Sequence, residues 1–255
     1  MSTATNIRRR ADVLGSKIDV VSWRQTIDSI MDWAKRRESK YVCACNVHVV
    51  VTANRDVRLA AAIENADLAT ADGMPIAWSI RQAGFREQTR INGPDLMLRS
   101  CIRAGQDGVP IFLFGSATST LAALRAKLLA LCPNLRVAGM YSPPFRQFSA
   151  AEDAEFAAMI NCSGAGIVFV GLGCPKQELW MERQRGNVNA VMIGVGAAFD
   201  YHSGTLRRAP VWMQRIGLEW LFRFAAEPRR LWRRYLVTNS LFIAAMTAQL
   251  IRAKK

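Results

Sequence analysis

The sequence predicts an α/β fold: a mostly parallel sheet with helices on both faces, followed by a basic helical tail. Three observations carry this. Six short runs rich in Val, Ile, Ala, Phe and Cys alternate with longer segments of helical character. The runs are apolar at nearly every position, as expected of strands covered on two faces. The chain of 255 residues is 51% hydrophobic, enough for one large core or two lobes.

Residues 1–16 are polar and read as loose. Between Trp23 and Arg37, Ile27, Ile30, Met31 and Ala34 fall on one helical face. Tyr41–Cys45 reads as a strand with Asn46 at its exit, and Val47–Asn65 as helical. Ala66–Thr70 is a second strand, ending at Ala71-Asp72-Gly73. Met74–Ala83 is a helix stopped by Gly84, and Asp95–Gly105 another, after the turn Asn92-Gly93-Pro94. Pro110–Phe114, Gly115-Ser116 and Ala117–Leu131 form a strand, a turn and a helix. Arg136–Met140 is a strand. Ser149 opens a helix over Ala150–Asn161, with Glu152 placed to complete a capping box. Gly166–Val170 is a strand, Gly171–Pro175 its exit loop and Lys176–Arg185 a helix; Ala190–Ile193 is the last strand. The boundary falls near residue 202, with an α/β domain over 1–202 and a basic, aromatic-rich appendage over 203–255.

Charge is uneven. The net charge is +14, which favours an anionic partner. From Ser203 onward eleven Arg and Lys face only Glu219 and Glu227, so +9 of that charge lies in the last fifth. Arg223, Arg230 and Arg234 share one helical face if Pro228 leaves the register intact, with Trp220, Phe224, Trp232 and Tyr235 interleaved. Arg233 adds to the density. Such a segment suits lipid headgroups, with Trp at the interface. RNA binding is the charge-based rival, but no nucleic-acid motif accompanies it. The uncharged stretch Tyr235–Ile251 is short for a span and carries several polar residues. It reads as an interfacial or packing helix, equally suited to a homo-oligomer contact. No apolar run follows Arg8-Arg9-Arg10 that would make a signal peptide. Six cysteines without a Cys-x-x-Cys pair, and only two histidines, give no plausible zinc set and fit a reducing compartment.

In a parallel sheet ligands sit beyond the carboxyl ends of the strands. Four exits then offer Asn46, Asp72, the Gly171–Gln177 loop and the Gly194–Asp200 loop, including Gly196 and Asp200. Asp72 is either a turn carboxylate or a partly desolvated general base. Gly171-Leu-Gly173-Cys-Pro-Lys176-Gln177 is no dinucleotide fingerprint, since Lys176 replaces its third glycine. It is either an ordinary strand–helix turn or a helix start whose amides face a phosphate, with Lys176 and Gln177 as added donors. Arg90 by default is solvated, as are Glu178 and Glu182 on a helix face. His48 and His202 read as structural. No Asp-x-Asp occurs, so a diphosphate would be neutralised by Arg, Lys and amides rather than by a metal it holds.

Five motifs stand in order: Ala71-Asp72-Gly73; Arg90 with Gly93 and Asp95-Leu96; Gly171-Leu-Gly with Pro175-Lys-Gln-Glu178 and Trp180; Gly194-Val-Gly196 with Phe199-Asp200; and Arg208-Ala-Pro210 with Gly217-Leu-Glu-Trp220. Together they resemble the WecG/TagA/CpsF glycosyltransferases, from about Ile18 to Tyr235. The resemblance implies a Rossmann-like catalytic sheet and inverting, metal-independent transfer from a UDP-sugar, with no cofactor. The implied acceptor is a sugar on undecaprenyl diphosphate, in bacterial surface-polysaccharide assembly. It implies Asp72 as base, with Asn46, Arg90 and Gln177 in the site and the appendage at the cytoplasmic membrane face. Arg207, Arg208 and Arg215 are the tail arginines assigned to the leaving UDP or the lipid diphosphate. Implied donors are glucose, N-acetylmannosamine and its uronic acid. Family members often carry Thr two positions before the asparagine; here it is Ala44, one hydroxyl fewer. The rival readings are a Rossmann-type oxidoreductase and a basic membrane or RNA adaptor.

Overall fold

The computed structural model describes residues 8–253. The chain opens with a hairpin, β1 (Arg10–Val13) and β2 (Ser16–Asp19), where the sequence suggested loose chain. Its turn explains the difference. Leu14 and Gly15 both have positive φ, the backbone of a two-residue type I′ turn, and Asp12 accepts from Gly15 N at 2.9 Å. Ala11, Val13 and Ile18 alternate into the core. The reading of residues 1–7 lies outside the described residues.

The order then is α1 (Trp23–Lys35), β3 (Lys40–Cys45), α2 (Val47–Ala53), α3 (Val57–Glu64), β4 (Leu68–Ala71), α4 (Met74–Gln82), α5 (Gly93–Asp107), β5 (Ile111–Gly115), α6 (Thr118–Leu131), β6 (Val137–Tyr141), α7 (Ala150–Ser163), β7 (Ile167–Gly171), α8 (Lys176–Gln184), β8 (Val191–Gly194) and α9 (Ala198–Ser203). The tail forms α10 (Val211–Arg215), α11 (Glu219–Ala226) and α12 (Pro228–Ala253). The helical run expected over 47–65 is two helices, because Asp56 caps a new start by accepting from Arg58 N. The Ser149–Glu152 capping box forms.

The six expected strands make one all-parallel sheet in the order β4-β3-β8-β7-β5-β6. Core clusters lie on both faces. The hairpin covers the β4 edge, where Asp19 accepts from the Ala69 amide at 2.6 Å and so satisfies an edge donor. Tight strand contact at the other side of the centre depends on glycine. A Cβ on Gly115 would stand 2.6 Å from the Gly171 carbonyl carbon, and Gly115 has φ +122.

Pro228 begins a new helix, so Arg223 on α11 and Arg230 on α12 do not share one continuous helical face. The side chains of Arg230, Arg233 and Arg234 lie outside the described residues. The α12 helix packs on α2, with Phe242 and Met246 joined to the core cluster under β3 and β4. Gln249 clamps the hairpin turn, accepting from Leu14 N and donating to Asp12 O. Among the described residues no helix is long and apolar enough to cross a membrane.

Candidate active site

The strand exits of β3, β4, β7 and β8 open into one cleft of about 1260 Å³. Its lining includes Asn46, Asp72, Arg90, Gly171, Gly173, Gln177, Gly196 and Asp200, eight of the residues singled out from sequence. Its outer wall carries large apolar side chains, Met74 and Trp78 of α4, Trp220 and Phe224 of α11, and Phe242, Ile243 and Met246 of α12, interspersed with Arg223 and the polar Thr238, Asn239, Ser240 and Thr247.

Asp72 sits half-buried just after β4. Its amide donates to Cys45 O at 3.0 Å, tying it to the neighbouring strand. Gly73, at φ +96, lets the chain turn at once into α4. Asn46 is the N-cap of α2, accepting from Val49 N at 3.2 Å. Its amide nitrogen donates to Asp72 Oδ2 at 3.4 Å. Burial raises the Asp72 carboxyl to about 6, with the Glu219 carboxylate pushing the same way; Arg90, the Asn46 hydrogen bond and Arg208 oppose. A carboxyl with a pKa near neutrality is suited to proton abstraction.

Arg90 is not a solvated arginine. Its side chain is 11% exposed and pairs with Glu219 at 3.1 Å. It also donates to the Gln214 carbonyl and side-chain oxygens, both at 3.3 Å. The linker that carries it is pinned to β4, where Ile91 N donates to Ala71 O and Thr70 Oγ1 donates to Ile91 O. Glu219 also faces Arg208 at 3.6 Å, and Arg208 donates to Asp95 and Asn92. Burial works to raise the Asp95 carboxyl, but its bonds from Arg208 and Asn92 outweigh that and hold it below its ordinary value.

Glu178 is fully buried, contrary to the solvated face expected for it, while Glu182 is half-buried and accepts from Asn65 at 2.9 Å. The reason lies in the site. Gln177, itself 4% exposed, donates its amide nitrogen to Glu178 at 2.8 Å. That fixes the amide orientation and leaves Gln177 Oε1 buried at the cleft without a hydrogen-bond partner among the described residues. A buried acceptor of this kind needs a donor, which a ligand hydroxyl or N–H or a water can supply. Ala44 lines the same floor.

Residues 11–255 match the family model described as "Glycosyl transferase WecG/TagA/CpsF family". The chain belongs to the WecG/TagA/CpsF glycosyltransferase family. Glycosyl transfer needs a sugar donor and a sugar-accepting substrate, and the match removes the oxidoreductase and adaptor readings.

Several residues singled out in this glycosyltransferase stand apart from the cleft lining. Lys176 is exposed, its ammonium 4.0 Å from the Phe145 ring. Arg207 and Arg215 are exposed, and Arg208 sits behind the lining in the Asp95–Glu219 network. Arg223 and Trp220, assigned to a membrane face, both line the cleft mouth; Arg223 lies 5.6 Å from the Tyr201 ring. Trp232 is exposed. Glu219 itself escaped the sequence reading as a site residue. The available signal was its isolation, one of two acids among eleven bases.

Proposed function

We propose that this glycosyltransferase transfers a hexose, with inversion and without a metal, from a UDP-sugar to a sugar carried on polyprenyl diphosphate. The pathway is bacterial cell-surface polysaccharide assembly, and the donor sugar is glucose, N-acetylmannosamine or its uronic acid. The observation that carries the reading is the shape of one cleft. A carboxyl near neutral pKa stands on its floor, arginines border it, and its outer wall carries large apolar side chains among polar ones. A soluble sugar acceptor has no need of that wall; a lipid-linked one does.

In the reaction Asp72 takes the proton from the acceptor hydroxyl. The oxygen attacks the anomeric carbon from the face opposite UDP, and the bond to the diphosphate breaks with its electron pair leaving on UDP. The α8 N-terminus meets the diphosphate charge, Arg90 from the lining and Arg208 from behind it add positive charge at longer range, and the Gln177 acceptor holds a sugar or uridine hydroxyl. Residues 203–255 form an appendage that completes the cleft and rests peripherally on the cytoplasmic face of the inner membrane. Trp220, Arg223, Arg230, Trp232, Arg233 and Arg234 contact headgroups there, while Arg207 and Arg215 attract the anionic lipid head. The exposed Trp212, Ile216, Trp220 and Trp232 support this orientation.

UDP release across a panel of UDP-sugars, with and without a polyprenyl-diphosphate sugar, tests the reading. Acceptor-dependent release with one donor is expected. Release that ignores the lipid acceptor, or none with any donor, refutes it.

A further inference from the structure

We infer that Glu219 is a positioning residue that keeps Asp72 free to act as a base, by engaging the Arg90 guanidinium so that it closes no salt bridge with the carboxyl. This rests on the assignment of Asp72 above. The geometry is specific. Arg90 belongs to a linker fixed to the end of β4, next to Asp72. An arginine so placed would ordinarily close a salt bridge with the carboxylate, and a paired carboxylate is a weak base. Among the described residues Arg90 makes no salt bridge to Asp72. Its two terminal nitrogens are instead committed to Gln214 and to Glu219 Oε2 at 3.1 Å. The other Glu219 oxygen faces Arg208 at 3.6 Å, whose closer counter-ion is Asp95, so the main charge that Glu219 compensates is that of Arg90.

Glu219 opens α11 and Gln214 belongs to α10, so both acceptors come from the appendage. Docking of the appendage therefore sets the charge on the base, beyond closing the cleft. The remaining groups around Asp72 do not offer the same compensation. Asn46 donates to it, Arg208 is cationic, and the Cys45 thiol beneath is neutral, its pKa driven up by burial. His48 of α2, Asp200 of α9 and Arg223 of α11 also line the cleft.

The test is an NMR titration of the Asp72 carboxyl in the full chain, beside the pH profile of transfer. Glu219→Gln keeps the size and one acceptor but removes the charge. The Asp72 midpoint should fall by about one unit or more, the acid limb of kcat/KM moving with it, while Glu219→Asp keeps both near wild type. Arg90→Gln should raise the midpoint, and adding Glu219→Gln to it should shift the midpoint less than in the wild-type background. An unchanged or higher midpoint in Glu219→Gln overturns the proposal, as does an equal fall in Glu219→Asp. Should Glu219→Gln unfold, the Arg90→Gln titration decides: no rise overturns it. A shifted midpoint in a protein that transfers no sugar would uphold the role of Glu219 and defeat the proposed function.

Discussion

The side-chain amide of Asn46 serves two elements: its oxygen caps α2 at Val49 N, and its nitrogen donates to Asp72 Oδ2 at 3.4 Å. The residue that starts the helix is thus also the one that orients the carboxyl. Replacing Asn46 by Ala removes both. The lost cap should cost about 1 kcal/mol of stability. The lost donor favoured the charged form, so the Asp72 pKa should rise above about 6. The acid limb of the pH–rate profile then moves to higher pH. A limb that stays put would show the Asn46 contact to be too weak to matter.

Asp72→Asn should lower transfer by about 10²–10⁴-fold, the usual worth of a positioned base, with the fold intact. It should also stabilise the protein at neutral pH. The folded pKa of Asp72 lies above its ordinary 3.8, at about 6, so its ionised form costs stability above that value. The cost disappears as the pH falls through about 6 towards 3.8. Allowing for partial exposure, Asn should gain about 1–2 kcal/mol at pH 7.5 and nothing near pH 4. Thermal melts at the two pH values check the sign; a lower Tm at pH 7.5 would mean that Asp72 stabilises the fold as a charged group.

The sheet was legible because its strands read as short, nearly continuous apolar runs alternating with helical segments, the pattern of a parallel sheet covered by helices, though the edge strand β6 stays partly exposed. The exits followed from that, and with them Asn46, Asp72 and Gln177. The hairpin was not legible, since Leu14-Gly15 carries its turn signal in a backbone conformation that leucine rarely adopts. The burial of Glu178 was hidden for a different reason. A helix face is read as solvated from charge alone, whereas Glu178 is held inward beside Gln177. The network of Arg90, Glu219 and Arg208 joins positions more than a hundred residues apart, which no local spacing encodes.

Gln177→Ala removes both the buried acceptor at the cleft and the donor to Glu178. Loss of one substrate hydrogen bond should weaken donor binding by about tenfold, roughly 1–1.5 kcal/mol. Calorimetric titration with UDP and with the UDP-sugar separates the contacts. A loss for both ligands places the acceptor at uridine or ribose; a loss for the sugar nucleotide alone places it at the hexose. Equal binding by the variant and the wild type would leave the orphaned oxygen without a ligand role.

The proposed membrane attachment and the core completion both call on the tail, so deletion after Ser203 cannot separate them: it strips Phe242 and Met246 from the core as well as the arginines. Point changes can. Phe242→Ala, at an 8% exposed core position, should destabilise by about 3 kcal/mol without weakening vesicle binding by the folded protein. Arg230, Arg233 and Arg234 changed together to Gln should weaken binding of the folded protein to anionic vesicles, with Tm measured alongside. At about 1 kcal/mol for each basic residue near the surface, the partition coefficient should fall by roughly 100-fold. Co-sedimentation with phosphatidylglycerol vesicles at low and high salt reads it directly. If the triple variant sediments like the wild type, the headgroup contacts lie elsewhere, and the exposed tryptophans at the cleft mouth become the surface to test.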